Sequence, residues 1–74
     1  MTIEQRKRLE GFKHPLMVYD QYKSIMPTNE TIRQMRELYH DIGHPPTGNC
    51  GGCIPMIIET LIDHLKEEGL YYAT

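Results

Sequence analysis

The chain lacks tryptophan altogether, has one phenylalanine and carries a single valine, Val18. Strands draw on β-branched and aromatic side chains, and no stretch reads as the valine-rich strand of a central sheet. No apolar run approaches the roughly 20 residues of a membrane span. The opening Met-Thr-Ile-Glu-Gln-Arg-Lys-Arg has no apolar signal-peptide core behind its charges, so an intracellular, cytoplasmic protein is expected. Also missing are a Gly-rich phosphate loop, a nucleophile elbow and a His-Glu-x-x-His pair. A chain this short has little room for a pocket beside its own core, and an enzyme is the last of the function classes. Charge of one sign does not dominate: the net value is −2. It is unevenly spread, with five Lys/Arg against three Asp/Glu over residues 1–26 and three against seven over residues 27–74. A basic arm beside an acidic body argues against a nucleic-acid surface covering the whole protein. Cysteine is scarce, and two in a small protein of a reducing compartment point to thiols or a metal before a structural disulfide.

What is present is helical. Seventy-four residues make one domain, residues 1–74, near the lower size limit for a core that folds unaided. The apolar fraction is ordinary, and Pro and Gly are too few for disorder. The richest stretch runs from Cys50 to Leu65 and joins both cysteines to the longest apolar segment. Ile54, Ile57, Ile58, Leu61 and Leu65 recur at helical spacing, and Ile62 widens the stripe. Pro55 is compatible with a helix only in its first turn, where backbone N–H groups lack intrahelical partners. The helix therefore begins between Gly51 and Pro55, and Gly69 supplies its stop.

Three further helices precede it. Residues 2–12 open on Thr2 and Gln5, a capping-box pair, in what reads as a loosely packed basic arm. Its Arg6, Lys7 and Arg8 are candidate phosphate contacts, with a solvated face as the plainer reading. Pro15 can open a second helix, with Leu16, Tyr19, Tyr22 and Met26 on one face and Pro27 as its end. Thr28 and Asn29 are caps for a third, whose apolar side is Ile32, Met35, Leu38 or Tyr39, and Ile42. Arg33 and Glu37 can pair across a turn, and Gly43 closes the helix. Residues 44–49 form the loop of the body, and Leu70-Tyr71-Tyr72 is expected to fold back on the core. Short connections between three or four helices predict a small all-α bundle.

One constellation could carry chemistry. His40, His44, Cys50 and Cys53 lie within fourteen residues as His-x3-His-x5-Cys-x2-Cys. Zinc takes four N or S ligands tetrahedrally, and a Cys-x2-Cys turn offers two sulfurs to one ion. Gly51 and Gly52 expose backbone N–H groups toward thiolates, and a helix N-terminus adds favourable charge. The plainer reading makes the cysteines small apolar side chains and the histidines loop residues. His64 reads as a solvated residue on the polar side of the last helix, and His14 as a cap or loop residue.

Cys50-Gly51-Gly52-Cys53 followed by Ile54-Pro55-Met56-Ile57-Ile58 locally resembles the thioredoxin active site. The resemblance implies Cys50 as an exposed attacking thiolate and Cys53 as the resolving thiol. It extends no further, because the tryptophan beside the motif and the sheet are missing. The Tyr19-to-Tyr22 segment, and Asn49 through Ile54 running into the Ile58-to-Leu65 helix, look like small proteins encoded by tailed bacteriophages. That likeness implies a virion component or a host-targeting accessory protein, and assigns no site residue.

The expectation from the residues is a non-catalytic interaction or structural protein, stabilised by zinc if the four ligands assemble. Seven apolar residues in the last helix cover more than one face. A leftover patch around Ile58, Ile62 and Leu65 is therefore expected to contact a second copy or another protein. The alternative is a small thiol–disulfide protein using Cys50 and Cys53. A weak nucleic-acid module stands third.

Overall fold

The computed structural model describes residues 1–45 and 52–71. They form four helices, α1 Ile3–Gly11, α2 Lys13–Tyr22, α3 Asn29–Asp41 and α4 Cys53–Glu67, with no strand among the described residues. The all-α bundle expected from the helical periodicity is the fold observed.

Helix α4 begins at Cys53, which puts Pro55 in the first turn, where its missing N–H costs no intrahelical bond. It lies between α2 and α3, packing against both, while α1 touches all three. That position corrects the expected contact face. Ile58 and Leu65 are 0 % exposed and Ile62 is 3 % exposed, all inside one core with Leu16 and Tyr19 of α2 and Met35, Leu38 and Tyr39 of α3. A helix clasped on two sides needs a wide apolar arc, so no leftover stripe remains. Leu9 of α1 and Leu70 beyond α4 close the same core.

The helix ends follow local chemistry. Thr2 and Gln5 form the full capping box at α1, and the Thr28 side chain accepts from Thr31 N at α3. Both long helices end in the same way. At α4, Gly69 takes φ +72° while Gly69 N donates to Lys66 O at 3.2 Å and Leu70 N to Leu65 O at 2.9 Å. At α3, Gly43 takes φ +112°, with Gly43 N donating to His40 O at 2.9 Å and His44 N to Tyr39 O at 3.3 Å. These are paired Schellman stops, and each brings the residue after the glycine against one five positions earlier. For α4 that is Leu70 with Leu65, both buried; for α3 it is His44 with Tyr39.

Three expectations change. Helix α2 stops at Tyr22 instead of Pro27, because Lys23 turns left-handed at φ 58° and its N–H caps Tyr19 O. Met26 therefore leaves the helical face. Arg33 pairs with Glu30 rather than Glu37, a contact that lowers the Glu30 carboxyl and raises the Arg33 guanidinium from their ordinary values. The N-terminal segment is docked and not loose: Leu9 is fully buried, and polar side chains of α1 reach the ends of α3 and α4. No helix among the described residues is long and apolar enough to cross a membrane.

The chain does fold back after α4, as far as Tyr71; Tyr72 lies outside the described residues. The Tyr71 hydroxyl donates to the Asp20 carboxylate of α2. That bond holds the Asp20 carboxyl below its ordinary 3.8, against the opposing effect of burial and with help from Lys23 at 3.3 Å. The same bond, with burial, lifts the Tyr71 hydroxyl above its ordinary 10.0.

Two outcomes follow from this packing. Ile58→Glu places an unpaired carboxylate in the core, and the variant is expected to lose helical circular dichroism. A folded, helical Ile58→Glu monomer would contradict the burial. Tyr71→Phe is expected to lower stability at pH 7 by about 1–2 kcal/mol, the range for a hydrogen bond to a charged group. On the acid side the depressed carboxyl contributes fully above 3.8 and is lost as pH falls through its lower folded value. On the alkaline side the raised hydroxyl contributes fully below 10.0 and is lost as pH rises through its higher folded value. Denaturant melts of wild type and variant should therefore converge at both extremes.

Candidate functional site

The Schellman stop of α3 lays the His44 imidazole on the Tyr39 ring, with centroids 4.4 Å apart and planes 19° from parallel. From there His44 reaches α4. Its Nε2 lies 3.0 Å from His64 Nε2, and the two rings meet nearly edge to face at 5.3 Å. The other His64 nitrogen, Nδ1, lies 3.6 Å from Glu67 Oε2 one turn on. His64 is thus not the solvated residue expected from its place among charges, and its side chain is only 20 % exposed.

This arrangement separates residues that the sequence had grouped. Cys53 opens α4, and His64 follows eleven residues later, about 16 Å at 1.5 Å per residue. His44, in contact with His64, sits toward the far end of that helix from Cys53. Among the described residues, no three or more His, Cys, Asp or Glu side chains gather closely enough to hold a metal ion. His40, His44 and Cys53 are therefore not assembled into the expected zinc set, and Cys50 lies outside the described residues. Cys53 itself is disulfide-bonded, contrary to the expectation of thiols or a metal ahead of a disulfide. Its sulfur is then no thiolate ligand.

The candidate phosphate contacts are committed elsewhere. Arg6 Nε lies 3.5 Å from Glu68 Oε1, and its Nη2 donates to Glu68 O at 3.4 Å. Arg8 pairs with Asp41, whose carbonyl also accepts from Gln5 Nε2 at 2.9 Å. Cations at the C-terminal ends of α3 and α4 meet the negative ends of the helix dipoles. Lys7 remains an exposed residue of this face.

Exposed apolar surface gathers at another place, the turn joining α2 to α3. Tyr22 is 61 % exposed, Ile25 51 % and Met26 47 %. Ile25, Met26 and Pro27 border an open cleft of about 260 Å³, completed by Pro15 and Val18 of α2 and Thr31 of α3. Helical periodicity had put Tyr22 and Met26 on a packed face. The left-handed Lys23 ends the helix between them and turns both outward.

The chain matches no protein-family model, no curated protein and no solved structure.

Proposed function

We propose that the protein is a non-catalytic interaction module whose contact surface is the α2–α3 turn, and that its partner is a second copy of the chain. The observation that supports this is the run of exposed apolar side chains Tyr22, Ile25 and Met26 beside an apolar cleft. Single exposed apolar residues are ordinary, whereas a cluster of them marks a binding surface. A bundle with a closed core and one apolar corner suits a structural or accessory role of the kind implied by the bacteriophage-like sequence pattern. The third reading, nucleic-acid binding, has less support, since Arg6 and Arg8 are engaged with Glu68 and Asp41.

A second reading rests on the bonded state of Cys53 at the start of α4. A disulfide there, within a Cys-x-x-Cys sequence, suits thiol–disulfide exchange. A thiolate such as glutathione attacks one sulfur, a second glutathione resolves the mixed disulfide, and two protein thiols and oxidised glutathione result.

Sedimentation of the full chain over a wide concentration range tests the first reading. Wild type should dimerise, and the Ile25→Glu/Met26→Glu variant should remain monomeric with unchanged helicity, because both positions are already solvated in the single chain. A wild-type monomer at the highest concentration overturns self-association. Equilibration in glutathione buffers tests the second. A working exchange protein should poise between about −120 and −270 mV, and a potential below about −300 mV marks the disulfide as structural.

A further inference from the structure

The geometry points to a two-histidine binding site for a divalent transition-metal ion, formed by His44 and His64 where α3 and α4 end. Two imidazole nitrogens 3.0 Å apart are held either by one shared proton or by one metal ion. With metal–nitrogen bonds of about 2.0–2.1 Å, that separation subtends an angle of about 90–95° at the metal. This is the cis angle of tetragonal and octahedral sites, whereas a tetrahedral ion would need the nitrogens about 3.3–3.4 Å apart. Imidazole ligands in tetragonal geometry suit Cu²⁺ and Ni²⁺, with Zn²⁺ bound after the rings part by a few tenths of an ångström.

The surroundings favour a cation here. Tyr39 stacks on the His44 ring and the helix stop at Gly43 sets its position, so one ligand is held before any ion arrives. Glu67 stands behind His64, 3.6 Å from Nδ1, the place that an orienting carboxylate takes behind a metal-bound histidine. It favours a proton on Nδ1 and leaves the Nε2 lone pair facing His44. The metal-free contact is then a bond donated by His44 Nε2–H to His64 Nε2. When an ion enters, the His44 proton passes to Nδ1 of the same ring or to solvent, and both Nε2 lone pairs coordinate. The C-terminal ends of α3 and α4 point their negative dipole ends toward this corner. Both rings are half-buried and keep a solvent-facing edge, through which water can fill the remaining coordination positions.

The site lies toward the opposite end of α4 from Cys53, so it is independent of both functional readings given above. The test uses the untagged, oxidised full chain and Ni²⁺. Isothermal titration should show one saturable equivalent, and the ring resonances of His44 and His64 should broaden before those of His14 and His40. His44→Gln and His64→Gln should each abolish saturable binding. Glu67→Gln should weaken it by about tenfold, the lower range for loss of an orienting carboxylate. The Cys50→Ser/Cys53→Ser variant should bind as wild type does. The melting temperature of wild type should rise with Ni²⁺ concentration, by mass action on the folded state. Lack of saturation up to about 1 mM, the weak limit of specific binding, overturns the site. So does binding that survives His64→Gln or is lost in the cysteine variant. If a histidine variant fails to fold, the order of broadening in wild type decides: broadening that begins at His14 or His40 overturns the site.

Discussion

The two-sided burial of α4 is the constraint on which the other helices depend. The described parts of α2 and α3 do not pack on each other, and both are organised by α4 between them. Its five buried residues Ile57, Ile58, Leu61, Ile62 and Leu65 supply the shared surface. Each methylene removed from water there contributes roughly 0.8 kcal/mol, in a domain whose total stability is only several kcal/mol. Small size therefore leaves no apolar face of the central helix to spare for a partner. Apolar contact surface has to come from the periphery, and it does so at the turn after α2.

Helix termini do much of the remaining positioning. The glycine stops at Gly43 and Gly69 turn the chain sharply and set one specific side chain back on its helix. After Gly69 that side chain is Leu70, which seals the core. After Gly43 it is His44, which carries a polar ring to α4. The basic residues of α1 then bind the same two helix ends. Arg8 and Gln5 sit on Asp41 at the end of α3, and Arg6 sits on Glu68 just past α4. An exposed ion pair contributes little by itself. Several polar contacts converging on helix C-termini, added to the burial of Leu9, account for a first helix that is docked despite its polar composition.

The molecule thus distributes its chemistry over separate places. Cys53 lies at the start of α4, the histidine pair near its end, and the apolar cleft at the α2–α3 turn. Proximity in sequence was misleading for the histidines. His40, His44 and Cys53 are near neighbours along the chain, yet a fifteen-residue helix carries the chain away from Cys53 to His64. The ring that His44 touches belongs to a residue twenty positions later.

Local signals alone determined a good deal. Thr2 with Gln5, Thr28 before α3, Pro55 in the first turn of α4, and Gly43 and Gly69 as stops act within five residues, and each appears where its backbone chemistry requires. The helical period of Ile57, Ile58, Leu61 and Leu65 likewise required a helix with a broad apolar side. Only tertiary structure decided what covers that side, because the number of helices clasping it is a property of the whole chain. It also decided that α2 ends at Lys23, an unmarked residue whose left-handed turn no proline or glycine announces. The pairings Arg6–Glu68, Asp20–Tyr71 and His44–His64 span 62, 51 and 20 residues. Such contacts are set by the packing of helices on a common core, and residue spacing along the chain carries no trace of them.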